Sequence, residues 1–163
     1  LKYILITHGH FDHVYCIKKM KEKFPETLVL MHKDDMPLLN QVNMQCSMAG
    51  IENIEIPCVD GLLDENTKNL RLGENEIKVI HTKGHSKGGV CYLIGNILFS
   101  GDTLFKGSIG RCDLFGGDFK EIEKSIKEKL FMLDEDTVVY PGHGDKTTIS
   151  YEKKFNPYFG SNA

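Results

Sequence analysis

Apolar runs and amphipathic stretches alternate along the first quarter of the chain. Residues 2–6 form a short apolar run rich in β-branched residues, which is typical of a buried strand. In residues 12–24 the apolar positions recur every three or four residues, which predicts a helix capped at its first residue. Residues 28–31 predict a second strand, and residues 33–41 predict a second helix with a proline near its first turn. No clear pattern follows before position 61.

The second half of the chain predicts hairpins, then a long helix. Apolar and polar residues alternate around Gly73-Glu74-Asn75, and two apolar runs flank Gly95-Asn96, so each site predicts a tight turn between strands. The predicted elements are strands at 70–72, 77–79, 90–94, 97–99 and 138–140, and helices at 118–133 and 149–155. This alternation indicates a layered α/β (α+β) fold.

Composition is that of one ordinary globular domain. The chain has 163 residues, of which 40% are hydrophobic and 26% charged, so we expect a single domain over residues 1–163. The formal net charge is only −3 and the lysines are spread along the chain. Neither a nucleic acid nor a membrane is indicated as a partner, which leaves a small molecule as the expected one.

The cysteines favour a reducing compartment. The five cysteines are odd in number and form no CxxC pair, which argues against a disulfide framework and against a thiolate zinc site. We therefore expect a cytoplasmic location. Because the chain begins at Leu1 and enters a strand-like run at once, we also expect the natural N-terminus to lie upstream.

One short segment carries an unusual density of metal-binding side chains. His8, His10, Asp12 and His13 lie within six residues, between a predicted strand and a predicted helix. Imidazole and carboxylate groups are suitable ligands for zinc, iron or manganese. In an extended loop, His8 and His10 point the same way, whereas Asp12 and His13 at the helix start point elsewhere. One segment can therefore serve two metals.

Three further candidate ligands lie downstream. His85, Asp102 and His143 each stand beside a glycine, in Gly84-His85-Ser86, Gly101-Asp102-Thr103 and Pro141-Gly142-His143-Gly144. Each residue alone would be read as an ordinary turn residue. Together with the histidine cluster they predict a metal centre, because such centres are recognised by ligand number and context. His32 and His81 lie outside these motifs and are not expected to be ligands.

The order HxHxDH, GHS, GDT and PGHG resembles the metallo-β-lactamase superfamily. The resemblance implies an αββα sandwich, here without the N-terminal strands that relatives have before the histidine motif. It implies a first metal held by His8, His10 and His85, and a second held by Asp12, His13 and His143. Asp102 would bridge the two. Zinc is the expected divalent metal, with iron or manganese as alternatives.

A finer resemblance is to the glyoxalase II-like branch. It rests on the segments 101–105, 109–113 and 141–149, which read GDTLF, IGRCD and PGHGDKTTI. This branch hydrolyses thioesters such as S-lactoylglutathione, so the implied partner is a thioester, possibly a glutathione conjugate. Asp12 would also act in catalysis by orienting the nucleophile. The chain ends twenty residues after His143, as expected for a short form without the branch's C-terminal helical domain.

Arg111 is the candidate substrate-binding residue. A guanidinium can grip a carboxylate with two parallel hydrogen bonds, and the resemblance implies that a basic residue in this loop binds the glycine carboxylate of glutathione. The alternative is a surface ion pair between Arg111 and Asp113.

Two other functions compete with thioester hydrolysis. A related persulfide dioxygenase would use one Fe(II), held by His8, His85 and Asp102, and the Gly110-Arg111-Cys112-Asp113 loop resembles that group too. The other competitor is a metal-binding remnant without catalytic activity. Metal content and turnover of S-lactoylglutathione would separate the three.

Overall fold

A computed structural model describes residues 1–162 of the protein. The strands in this range are β1 Tyr3–Leu5, β2 Leu28–His32, β3 Gly61–Leu63, β4 Asn69–Leu72, β5 Asn75–His81, β6 Val90–Ile94, β7 Ile97–Gly101, β8 Leu104–Phe105, β9 Ser108–Ile109, β10 Val138–Pro141 and β11 Thr147–Thr148. The helices are α1 Phe11–Val14, α2 Ile17–Lys23, α3 Met36–Leu39, α4 Val42–Met48, α5 Phe119–Glu128 and α6 Ile149–Phe155. Short 3-10 helices lie at Lys33–Asp35 and Leu130–Met132.

The strands form two main sheets. The first is parallel, in the order β1-β2-β3, and the second has six strands in the order β11-β10-β7-β6-β5-β4. In the second sheet β7 and β10 are parallel, whereas the other neighbours are antiparallel. Strands β5, β7 and β10 therefore run in the same direction, and their carboxyl ends meet at one edge of the sheet.

Three apolar layers hold the two sheets and their helices together. Along β2 the side chains alternate, so Val29 and Met31 pack with the N-terminal helices while Leu30 faces the second sheet. Between the sheets, Leu30 meets residues such as Val79. On the far side of the second sheet, α5 buries Ile122 and Ile126. The order of layers is helix, sheet, sheet, helix, which confirms the predicted αββα sandwich.

The helix predicted at residues 12–24 is two helices. Helix α1 begins at Phe11 instead of Asp12, and α2 begins at Ile17. The periodicity hides the break because Val14 and Ile17, on either side of it, are buried in the same apolar layer. Likewise, the helix predicted at 118–133 ends at Glu128 and continues as a 3-10 turn.

Several elements escaped the sequence pattern. Helix α4 lies in the stretch without a clear pattern, because Met44 and Met48 on its outer side are exposed and blur the amphipathic period. Strands β3, β8, β9 and β11 have only two or three residues, too few to show a period of two. Among residues 1–162, no helix combines the length and the apolar character that crossing a membrane requires.

Candidate metal centre

All seven predicted ligands come together at one edge of the sandwich. The segment from His8 to His13 follows β1, His85 follows β5, Asp102 follows β7, and His143 follows β10. The loops are joined by backbone hydrogen bonds, such as that from the Val90 N–H to the Thr7 carbonyl at 2.9 Å. The site is therefore built from strand ends that the sheets bring side by side.

The first group contains His8, His10 and His85. The His10 Nδ1 lies 2.9 Å from the His85 Nε2, and the three rings meet edge to face with centroids 4.7 to 4.8 Å apart. The Nδ1–H of His85 donates a hydrogen bond to the Arg111 carbonyl at 2.8 Å. This bond fixes the tautomer of His85 and leaves its Nε2 aimed at the centre.

The second group contains Asp12, His13 and His143. The His143 Nε2 lies 3.0 Å from the Asp12 Oδ2 and 3.3 Å from the His13 Nε2. The His13 Nε2 lies 3.5 Å from the same Asp12 oxygen. Asp12 and His143 are exposed, so this group is the more accessible of the two.

Asp102 lies between the two groups. Its Oδ1 is 3.3 Å from the His13 Nε2, and its Oδ2 is 3.7 Å from the His85 Nε2 and 3.5 Å from the His143 Nε2. One carboxylate thus reaches ring nitrogens of both groups, which is the position that the resemblance to the superfamily implies for a bridging ligand.

Metal binding requires neutral imidazole and ionised carboxylate, and the pKa shifts of His8, His10 and Asp102, though not that of His13, favour these states. Burial, together with the neighbouring histidines, lowers the pKa of His8, and burial and His85 lower the pKa of His10 to about 4. For Asp102, burial alone would raise the pKa, but interaction with His13 and the other histidines outweighs it and lowers the pKa. The same interaction raises the pKa of His13 against the effect of burial.

Two observations test whether this donor set fits metal ions. The buried His8 Nε2 and Asp102 Oδ1 both point into the centre without a well-formed hydrogen bond among the described residues. Moreover, two nitrogens bound to one tetrahedral zinc lie about 3.3 Å apart, close to the His10–His85 and His13–His143 separations of 2.9 and 3.3 Å. The residues fit: each group could hold one ion, and Asp102 could contact both.

Glycines permit this close approach. A Cβ atom on Gly142 would lie 2.3 Å from the Asp102 Oδ1 and 2.6 Å from the His13 Cε1, and one on Gly9 would lie 2.9 Å from the Leu39 backbone nitrogen. All three distances are shorter than van der Waals contact, so a side chain at position 142 would displace a candidate ligand and one at position 9 would clash with the backbone of α3.

Asp35 is a supporting residue that the sequence analysis missed. Its Oδ2 accepts hydrogen bonds from the Gly9 N–H at 2.9 Å and the Ser86 hydroxyl at 2.8 Å, and its Oδ1 accepts one from the Gly88 N–H at 2.6 Å. The fully buried carboxylate therefore ties the loop of His8 and His10 to the loop of His85. No local signal marks it, because its partners lie 26 to 53 residues away.

Arg111 lines the cleft beside the centre and is paired with Asp113. Its Nε and Nη2 donate to the two carboxylate oxygens of Asp113 at 2.9 and 2.7 Å, and both side chains are 68% exposed. The pairing is the alternative that the sequence left open. A role in substrate binding stays a prediction.

His32 and His81 form a separate pair away from the centre. Their rings stack with centroids 3.9 Å apart and planes inclined by 27°. The His32 Nδ1 accepts a hydrogen bond from the Asp34 N–H at 3.3 Å, and the His81 Nε2 donates one to the Lys87 carbonyl at 3.1 Å. With the Asp34 carboxylate they form a third group of potential ligands.

A sequence profile described as Metallo-beta-lactamase superfamily matches residues 1–143, which covers the whole ligand set. The chain belongs to the metallo-β-lactamase superfamily. Members of this superfamily are in general metal-dependent hydrolases, and their fold binds divalent metals. The predicted superfamily is thereby confirmed.

Curated relatives place the chain among metallo-hydrolases. It is 33% identical to a hydroxyacylglutathione hydrolase, GloC, of Haemophilus influenzae, over 99% of this chain and 77% of that protein. It is 37% identical to the probable metallo-hydrolase YqgX of Bacillus subtilis, over 95% of this chain and 74% of that protein. The chain thus spans about three quarters of the length of these relatives.

Solved structures of the superfamily share the fold. The B3 metallo-β-lactamase BLEG-1 superposes with a TM-score of 0.89 at 38% identity, covering 96% of this chain and 76% of that one. TTHA1623, solved in a di-iron-bound form, gives 0.86 at 36% identity, covering 96% and 77%. ETHE1 from Myxococcus xanthus gives 0.79 at 25% identity, covering 100% and 64%.

Proposed function

We propose that the protein is a metal-dependent hydrolase of thioesters, of the hydroxyacylglutathione hydrolase type. The observation that carries the proposal is the arrangement of two ligand groups around Asp102, at the edge of an open cleft. The similarity to GloC supports a thioester as the substrate class. We further propose zinc as the metal and the cytoplasm as the location, the latter supported by five cysteines that are all free.

The chemistry follows from the donor set. Two divalent metals in a shared centre lower the pKa of water towards about 7 and polarise a carbonyl group. Asp12 lines the cleft, and its Oδ2 is 3.0 Å from the His143 Nε2. We assign it the role of orienting the attacking water by accepting a hydrogen bond from it. A thiolate leaving group needs little protonation, so the site requires no separate general acid.

A single-iron dioxygenase is the second candidate. The His85 Nε2 and the His8 Nε2 lie 3.7 and 3.9 Å from the Asp102 Oδ2, so these three residues could form the two-histidine, one-carboxylate set of a non-haem iron site. The similarity to ETHE1 fits this candidate. In that case the second group of Asp12, His13 and His143 would hold no metal, so the number of metals per chain separates the two candidates.

Metal content and substrate turnover test the proposal together. The full chain, purified without chelators, is expected to contain about two metals and to hydrolyse S-lactoylglutathione. One iron per chain with oxygen uptake in the presence of a persulfide would instead support the dioxygenase. Negligible metal and no turnover would indicate a remnant without catalytic activity.

The Arg111 assignment has its own test. Arg111→Lys is expected to raise KM for S-lactoylglutathione by about threefold to tenfold, because lysine cannot make the two-pronged bond to a carboxylate. KM for a thioester without a carboxylate should change less. The matched variant Asp113→Asn frees the guanidinium and should lower KM for S-lactoylglutathione. Equal effects of Arg111→Lys on both substrates would exclude a carboxylate clamp.

A further inference from the structure

The cleft beside the metal centre has two chemically different ends. It encloses about 640 Å³. One end is formed by the ligands His10, Asp12, His85, Asp102 and His143. The other end is formed by helix α4 and by the loop that follows Arg111. A substrate whose reacting group lies at the ligands must therefore place another part against these two elements.

The end away from the ligands is apolar. Met44 and Met48 lie one turn apart on α4 and are 54% and 82% exposed. Leu114 and Phe115, which line the same cleft, are 38% and 53% exposed. Single exposed apolar residues are common, but a group of them lining one cleft next to a reactive centre marks a ligand site. Methionine suits such a surface because its flexible side chain adapts to different apolar groups.

Polar partners for a substrate are few at this end. Gln45 uses its Oε1 to accept from the Phe11 N–H at 3.0 Å and its Nε2 to donate to the Leu38 carbonyl at 3.1 Å. Arg111 is the one cation among the residues lining the described cleft, and Asp113 neutralises it. Gln41, at the start of α4, adds one uncharged amide to the lining. The α4 end of the cleft thus offers mainly apolar contact without charge.

We infer that this surface binds an apolar acyl group, so that the preferred substrates are thioesters of medium-length apolar acids instead of lactate. The inference rests on the proposed thioester hydrolysis. The thiols that carry acyl groups in cells are polar or charged, so the acyl group is the part that matches Met44, Met48 and Phe115. In the reaction, the oxygen of water bonds to the acyl carbon and the C–S bond breaks. One proton of the water stays with the carboxylic acid, and the other goes to the solvent or to the departing thiolate.

The inference is tested by varying the length of the acyl group while the thiol is kept the same. The metal-loaded full chain is assayed with acetyl and hexanoyl thioesters of N-acetylcysteamine, a neutral thiol, and with S-lactoylglutathione. Each methylene group fully removed from water raises kcat/KM by about fourfold. For an open cleft we therefore expect hexanoyl to exceed acetyl by at least about tenfold, after correction for the uncatalysed rates.

The outcomes separate this inference from the proposed function. Hydrolysis of S-lactoylglutathione without any gain from acetyl to hexanoyl would overturn the apolar site and leave thioester hydrolysis standing. No hydrolysis of any thioester by metal-loaded protein would overturn both.

Variants of Met44 and Met48 test whether the preference for the hexanoyl thioester arises in the cleft. Met44→Gln combined with Met48→Gln is expected to lower the hexanoyl-to-acetyl ratio of kcat/KM by about threefold to tenfold, because it removes apolar contact. Met132→Gln is the matched control, because Met132 is 76% exposed and lies outside the cleft. An equal change in both proteins, or none in the double variant, would contradict the assignment.

Discussion

The seven histidines of the chain form two groups that differ in the direction of their ring nitrogens. In the metal centre, five rings turn their edges towards one another and towards Asp12 and Asp102, with nitrogens as close as 2.9 Å. His32 and His81 instead stack face to face, and their rings are hydrogen-bonded to backbone groups.

Both groups lie at strand ends, so position in the fold does not distinguish them. His32 closes β2 and His81 closes β5, much as the ligand loops follow β1, β7 and β10. The difference lies in the carboxylates: the Asp102 carboxylate has ring nitrogens from both halves of the centre within 4 Å, whereas the Asp34 carboxylate pairs, among the described residues, with the His32 ring alone. Convergence of nitrogen and carboxylate atoms, more than the density of histidines, defines the candidate site.

The largest expected contrast is in metal content. His10→Ala removes a ligand and should lose at least one metal per chain, with kcat/KM reduced on the order of 10³-fold or more, or about 4 kcal/mol of transition-state stabilisation. His81→Ala should keep both metals. Elemental analysis after dialysis, with thioester turnover, measures the contrast. Loss of a metal from His81→Ala would show that the stacked pair is itself a metal site.

A smaller contrast is expected between two adjacent aspartates. Asp35→Asn weakens the support of both ligand loops and should lower metal affinity by about 10- to 100-fold, as loss of a group supporting the ligands typically does. Asp34→Asn, next to the stacked pair, is the matched control and should leave affinity at the centre unchanged. Competition with a chromophoric chelator gives the dissociation constants. Equal affinities in the two variants would rule out the proposed role of Asp35.

The smallest expected difference is in the stability of the folded protein at acid pH, where the stacked histidine pair has an effect of its own. Burial and the neighbouring His32 lower the pKa of His81 to about 4. The unfolded chain takes up this proton near about pH 6.5, so the folded state loses stability as the pH falls from there towards 4. His81→Gln should reduce that loss by about 1 kcal/mol, since His81 is partly exposed to solvent.

Urea unfolding of both metal-free proteins at about pH 7 and about pH 4.5 measures the difference. The same loss of stability in the variant and the wild type would mean that His81 does not titrate as its burial indicates.

Four of the seven candidate ligands could be predicted from a local signal, because His8, His10, Asp12 and His13 share one segment. His85, Asp102 and His143 were assigned mainly through the resemblance to the superfamily, although each follows a predicted strand. The residues that support these candidate ligands could not be predicted, because their roles come from contacts between distant segments. Asp35 meets Gly9 when β1 and β2 pair in the first sheet, and it meets Gly88 when that sheet packs against the second.

The apolar end of the cleft could not be predicted from the sequence either. Met44 and Met48 belong to α4, whose exposed apolar side removes the period that would have identified the helix. Leu114 and Phe115 lie in a loop without any pattern. Residues that contact a substrate need not follow the periodicity of a folded core, so the hydrophobic pattern does not reveal them.

The hydrogen bond from His85 to the Arg111 carbonyl has different consequences for substitutions in this loop and for changes in its length. The bond uses the backbone of residue 111, so any side chain there preserves the orientation of His85. An insertion or deletion between Asp102 and Arg111 would displace the carbonyl and tilt the imidazole. We therefore expect substitutions at position 111 to change the rim of the cleft while His85 keeps its orientation, and changes in the length of the loop to disturb His85.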